Sequence, residues 1–212
     1  MITNDIPIKY VNSSKRSDVQ VVVFAKNTSS IYPTTVYTAW HILRGQSSVQ
    51  FTYPASLGVG VSYKTSGMTV TAGPIDADHG STWEIMQESM NDSATLKRKT
   101  GVAPNPNGSI VIKNTPPATW SGRKFDVAIY KERHILLQEK GLCVGMQVDF
   151  VIEPKLYFGV VSHMKVGQSF ESLTSVTTLT DFDLSQFPNG IEVTLNVKPG
   201  GGELFFTADQ YM

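Results

Sequence analysis

Two pairs of carboxylates are the residues in this chain best spaced to do chemistry. Asp76 and Asp78 run into His79 in the segment PIDADHGS, and Asp181 and Asp183 stand two apart in TTLTDFDLS. Two carboxylates and an imidazole on a loop offer oxygen and nitrogen donors to a cation, or hydrogen-bond partners to the hydroxyls of a ligand. The order of acidic positions, central glycine and terminal glutamate that makes a calcium loop is missing, so the run reads first as a polar turn rich in Asp, Gly and Ser. Asp181 and Asp183 would leave one face of an extended strand together, and paired carboxylates divide acid and base roles when burial separates their pKa values. The simpler reading is a solvated strand face, because most carboxylates stay in water.

Other catalytic patterns fail on spacing. His41, His79, His134 and His163 are isolated from one another, so no helical pair of imidazoles offers a zinc site. There is no Gly-x-Ser-x-Gly elbow, and the single cysteine, Cys143, has no histidine placed by a local signature. Gly200, Gly201 and Gly202 precede ELFFTADQ, which reads as a strand and not as the helix a phosphate cradle needs. Neither an enzyme nor a cofactor is expected. Trp120 lies in a proline-rich loop beside Ser121 and Gly122, where an indole would make a stacking platform for a sugar or a headgroup. With Asp76, Asp78 and His79 it forms the candidate ligand-binding set.

The elements that must position these residues are strands. In VGMQVDFVIE, Val144, Met146, Val148, Phe150 and Ile152 share one face, and in GIEVTLNVK the residues Ile191, Val193, Leu195 and Val197 oppose Glu192, Thr194, Asn196 and Lys198. The same period of two runs through DVQVVVFAK and KFDVAIYK, the mark of strands with one wet face. KFDVAIYKERHILLQEKG reads as a hairpin turning at Lys131 to Arg133. Turn segments such as RGQSS, TSG, FPNG and KPGGG punctuate the chain at short intervals, and no helical spacing separates the strands. Only Trp83 to Asn91, WEIMQESMN, is a candidate helix. The expected fold is all-β, an antiparallel β-sandwich of about a dozen strands in one domain over residues 1–212, and no residue-level repeat is visible between its halves.

Composition narrows the partners. Lys plus Arg and Asp plus Glu both number 18, and charged residues make up 17% of the chain. That balance does not signal a phosphate-tracking surface, so nucleic acid is not an expected partner. Near-zero net charge removes self-repulsion and favours association with other copies. No apolar run is long enough for a membrane span, and no leader is evident, so the expected location is cytoplasmic, or outside the cell by a route without a signal peptide. The segment Ser172 to Leu184 is threonine-rich and poor in charge, a template for pairing with another chain if it lies at a sheet edge. Its candidate self-association residues are Thr174, Val176, Thr178 and Thr180.

The order VVVFAKN, TAWHIL, FTYP, the hairpin around AIYK and the late PGGGELFF resembles a group of uncharacterised small bacterial proteins without leader peptides. That resemblance implies a cytoplasmic β-rich protein and brings no catalytic residues. The functional expectation is a non-enzymatic, self-associating β-sandwich that forms a homo-oligomer or a larger structural assembly. The alternative is a carbohydrate- or lipid-binding module using loop residues.

Overall fold

The structure, a computed structural model, describes residues 4–29, 36–45, 48–89, 92–115 and 122–211. The fold is all-β, and the described residues form eighteen strands: β1 (Ile6–Asn12), β2 (Gln20–Phe24), β3 (Tyr37–Thr38), β4 (His41–Arg44), β5 (Ser48–Tyr53), β6 (Leu57–Thr65), β7 (Met68–Ala77), β8 (Thr82–Met86), β9 (Thr95–Arg98), β10 (Ile110–Asn114), β11 (Phe125–Lys131), β12 (His134–Leu142), β13 (Gln147–Phe150), β14 (Lys155–Val161), β15 (Ser169–Phe170), β16 (Thr177–Asp183), β17 (Ile191–Val197) and β18 (Leu204–Gln210). The excess over a dozen comes from short strands such as β3 and β15, which carry too few residues to show a period. The candidate helix at Trp83 is instead strand β8, whose Trp83 and Ile85 are buried while Met86 is exposed. The aromatic and β-branched side chains there prefer a pleated surface. No helix among the described residues is long and apolar enough to cross a membrane.

The chain gathers into two compact units, the first from residues 1–26, 37–55 and 153–212 and the second from 27–36 and 56–152. Unit 1 holds two four-stranded sheets, ordered β18-β17-β1-β5 and β16-β14-β2-β4, with the small β15-β3 pair besides. Unit 2 holds two more, ordered β13-β10-β8-β9 and β12-β11-β6-β7. In each unit one sheet is wholly antiparallel, and the other has a parallel pair at its centre, β1 with β17 in unit 1 and β8 with β10 in unit 2.

The two units share one plan, residue by residue. Lys9 lies opposite Glu192 on one side and Gln50 on the other, and Lys113 lies opposite Glu84 and Gln147 in the same way. Ile6 and Ile8 oppose Tyr53 and Phe51, as Ile110 and Ile112 oppose Phe150 and Val148. In the antiparallel sheets Gly159 faces Val22 and Gly60 faces Ala128, and in both the edge strand bulges at that glycine. A bulge bends an edge strand and turns its free backbone groups aside. By this register β1, β2, β4 and β5 correspond to β10, β11, β12 and β13, and β14, β16, β17 and β18 correspond to β6, β7, β8 and β9.

Alternation places the cores. In unit 1, Ile8, Tyr10, Val21, Val23, Phe158, Val193 and Leu195 are buried, and the rings of Phe158 and Phe206 meet at 6.0 Å. Trp40, fully buried, meets Tyr53 edge-on at 5.7 Å. In unit 2, Val59, Val61, Ile85, Ile110, Ile112, Val127 and Ile129 do the same work.

Candidate functional site

The units diverge on the outer face of the antiparallel sheet, where their connecting loops differ. In unit 1 that face is covered. The connection from β14 to β16 carries β15 and a short turn of 3-10 helix at Leu173–Ser175, and β3 pairs with β15. Phe170 packs on Phe24 at 5.3 Å and on Tyr37 at 5.4 Å, and Val22, Met164 and Val176 complete a second apolar cluster. Tyr157 stacks on Phe24 with centroids 5.3 Å apart and 21° between planes, and the Lys26 ammonium sits 4.0 Å above the Tyr157 ring. Burial, above all, lowers the Lys26 pKa and raises that of Tyr157.

In unit 2 the corresponding connections are tight hairpins. β6 returns as β7 through Ser66 and Gly67, and β11 returns as β12 through Glu132 and Arg133. Nothing in these turns is long enough to reach over the sheet. Register matches Tyr130 to Phe24 and Gly58 to Tyr157, since Gly58 pairs with Tyr130 as Tyr157 pairs with Phe24. Among the described residues the Tyr157 ring that stacks on Phe24 therefore has no register counterpart beside Tyr130, and a cavity of about 230 Å³ opens at Tyr130 and Gly58. Gly58, Pro74, Asp76, Tyr130, Glu132 and Arg133 line it. The Tyr130 ring lies close on the glycine strand: a Cβ added at Gly60 would come within 2.7 Å of its Cε2. Burial raises the Tyr130 pKa, so its hydroxyl keeps its proton.

The rim is polar. Asp76 sits opposite Gly58 on β7 and is exposed. Glu132 and Arg133 form the two-residue turn between Lys131 and His134, with φ of 49° and 66°. Two positive φ values are what a type I′ hairpin demands and what glycine or asparagine supplies without strain. Here a glutamate and an arginine are held there instead, projecting charge at the cavity mouth. Below them Lys131 is buried, and its ammonium donates to the Ser56 carbonyl at 3.3 Å. Replacing Glu132 by Asn together with Arg133 by Gly is expected to stabilise unit 2 by about 1 kcal/mol, through relief of left-handed strain. A thermal midpoint that stays level or falls in this variant would show the turn to be unstrained.

The structure distributes the sequence candidates as follows. Asp76 lies at the cavity; Asp78 stands away from it in an exposed ion pair with Arg98 at 2.8 Å, worth little in water. His79 is half-buried, and its pKa is lowered by burial and then by the nearby Lys131 charge. Among the described residues no three of His, Cys, Asp and Glu are grouped to hold a metal ion. Trp120 lies outside the described residues. Asp181 is the counterpart of Asp76, opposite Tyr157 as Asp76 is opposite Gly58, and it pairs with Lys155 at 3.3 Å. Asp183 accepts bonds from the Ser185 amide at 2.9 Å and hydroxyl at 2.6 Å, which lower its pKa. Both are occupied by local structure.

The threonine-rich segment is strand β16 at the edge of its sheet. Val176 is buried against Gly159 and belongs to the second apolar cluster, and Thr178 sits at the bulge with φ of 51°. Thr174 is exposed in the 3-10 turn and Thr180 is half-buried. The cavity residues Gly58, Tyr130, Glu132 and Arg133 escaped sequence reasoning. Their only signal, a glycine pair beside a β hairpin, gains meaning through strand register alone. Comparison of the chain with family models, with curated proteins and with solved structures finds no match.

Proposed function

We propose that the protein is a non-enzymatic, carbohydrate-binding β protein in which unit 2 takes a pyranose ring over Tyr130 and unit 1 is its closed counterpart. One observation carries this reading: where unit 1 pairs Tyr157 with Phe24 and stacks their rings, unit 2 pairs Gly58 with Tyr130, and both residues line a cavity. A ligand that replaces a stacked ring needs a flat apolar face, and a sugar offers the C–H face of its ring to an aromatic platform. Its hydroxyls then meet two carboxylates that accept, Asp76 and Glu132, and a guanidinium that donates, Arg133. An acyl chain would leave these charged groups desolvated without partners, which favours sugar over lipid.

Titration with a panel of oligosaccharides, followed by amide shifts, tests the reading. Binding is expected to shift Gly58 and Tyr130 and to weaken at least about tenfold in Tyr130→Ala, a loss of about 1.4 kcal/mol. Gly58→Ala, whose added Cβ would meet the Pro74 Cβ at 3.0 Å, is expected to weaken it by crowding the cavity. Binding untouched by both substitutions, or no binding to any member of the panel, overturns the assignment.

Self-association stands as a second reading because β16 occupies a sheet edge and exposes Leu179. A chain that stays monomeric in light scattering at high concentration ends it.

A further inference from the structure

The shared plan of the units has a peculiarity in chain order. The strands of unit 2 come from one run of chain, β6 to β9 followed by β10 to β13, to which the stretch 27–36 is added. Unit 1 is built from the chain's two ends, β1 to β5 and β14 to β18. The register equates β1–β5 with β10–β13 and β14–β18 with β6–β9. Read along the chain, the molecule is therefore two tandem repeats, residues 6–98 and 110–210, each with a first half and a second half. Neither repeat closes on itself. The first half of each pairs with the second half of the other, through β1 with β17 and β2 with β14 in unit 1, and through β10 with β8 and β11 with β6 in unit 2.

The crossover points are also equivalent. Residues 54–56 join β5 to β6 and residues 151–154 join β13 to β14, both containing a proline, Pro54 and Pro154. Such short connections carry the chain out of one unit and into the other, the hallmark of exchanged elements. The two ends that make unit 1 are separated in sequence by residues 56–152, which carry every strand of unit 2, so their union is a long-range closure.

We infer that the chain is an internally exchanged duplication, and that the same exchange occurs between molecules: the second half presented by β14 to β18 of one copy closes on β1 to β5 of another. The partner is a second copy of this chain, joined head to tail, and every strand pair of unit 1 is kept in the exchanged form. Exchange costs no contact, so concentration decides between the closed and the linked forms. This goes beyond the sugar site and gives self-association a route that leaves the β16 edge unused.

A disulfide across the parallel pair reports which chains are joined. In a Cys143→Ser background of the full chain, Lys9→Cys and Glu192→Cys place thiols on register partners whose side chains now form an ion pair at 2.8 Å, and neighbouring strands about 4.8 Å apart suit a disulfide. Val11→Cys with Thr194→Cys, also register partners, serves should the first pair impair folding. Chains are unfolded in denaturant under reducing conditions, refolded over a range of concentrations, oxidised and run without reductant. Intrachain loops are expected in dilute samples. The interchain fraction should rise about tenfold for each tenfold in concentration, until chain concentration nears the effective concentration of the linked halves, on the order of millimolar. Lys113→Cys with Glu84→Cys, across unit 2, should stay intrachain throughout, because its halves are contiguous. Intrachain disulfides alone from the Lys9 and Glu192 positions overturn the inference, whether or not oligomers form by other means. An equal ladder from the unit 2 pair overturns it as well, since that pattern marks indiscriminate oxidation.

Discussion

Replacing Phe158 by alanine is expected to remove about 3–5 kcal/mol from the stability of unit 1. Phe158 is fully buried on β14, meets Phe206 of β18 at 6.0 Å and Phe182 of β16 at 5.7 Å, and so ties the antiparallel sheet of the unit to its mixed sheet. The substitution deletes a ring from close-packed surroundings. The strands around it are held by backbone ladders and cannot collapse to fill the space, which places the cost at the upper end for a core truncation. Hydrogen exchange of the Val21 to Phe24 amides reads the effect in unit 1 directly, since β2 pairs with β14. A loss under about 1 kcal/mol would mean that the two sheets do not depend on this ring.

Glu139→Gln is expected to act in the opposite direction and only above mildly acid pH. Glu139 is buried on β12, and burial raises its pKa from 4.5 to about 6, opposed in part by its hydrogen bond with Asn27. Asn27 is itself fixed, donating to the Asp149 carbonyl at 3.0 Å and accepting from the Val151 amide at 3.0 Å. Between these pH limits the folded chain holds a proton that the unfolded chain has released. Stability therefore falls as pH rises from 4.5 through about 6, and the loss levels off above that. A shift of this size corresponds to about 2 kcal/mol. Glutamine keeps the shape without the charge, so the variant should match the wild type near pH 4 and exceed it by about 2 kcal/mol at pH 7.5. Denaturant midpoints across that range decide the matter: two parallel pH profiles would show that Glu139 carries its charge without penalty in the fold.

Much of the fold is legible in the sequence because strand alternation is a local property. The faces of Val148 and Phe150, of Ile191 to Leu195 and of Val127 and Ile129 follow from a period of two, and burial bears them out. The hairpin at Lys131 to Arg133 was readable for the same reason, as was the turn at Gly200 to Gly202. The segment at Trp83 was open to a helix reading because five residues are too few to separate a period of two from one of 3.6. The duplication was not visible, because the two repeats share positions more than residues: Gly58 answers to Tyr157, Ala128 to Val22, and the Glu132–Arg133 turn to a long connection through β3.

The cavity was illegible for a related reason. Asp76 caught attention as one of a charged cluster with Asp78 and His79, yet its neighbours at the site are Gly58, Tyr130, Glu132 and Arg133, from other strands. Asp78 turned to Arg98 instead. By itself the sequence determined the class of structure, the strands with their inward faces and the charged and aromatic residues available to a ligand, since each depends on residues a few positions apart. Tertiary structure alone decided which carboxylate meets which aromatic ring, that β16 lies at an edge with Val176, just before it, packed into the second apolar cluster, and that halves distant in sequence close on one another. Those outcomes are set by register between strands up to 180 or so positions apart, as when Lys9 meets Glu192, and no local pattern encodes a register before the strands have met.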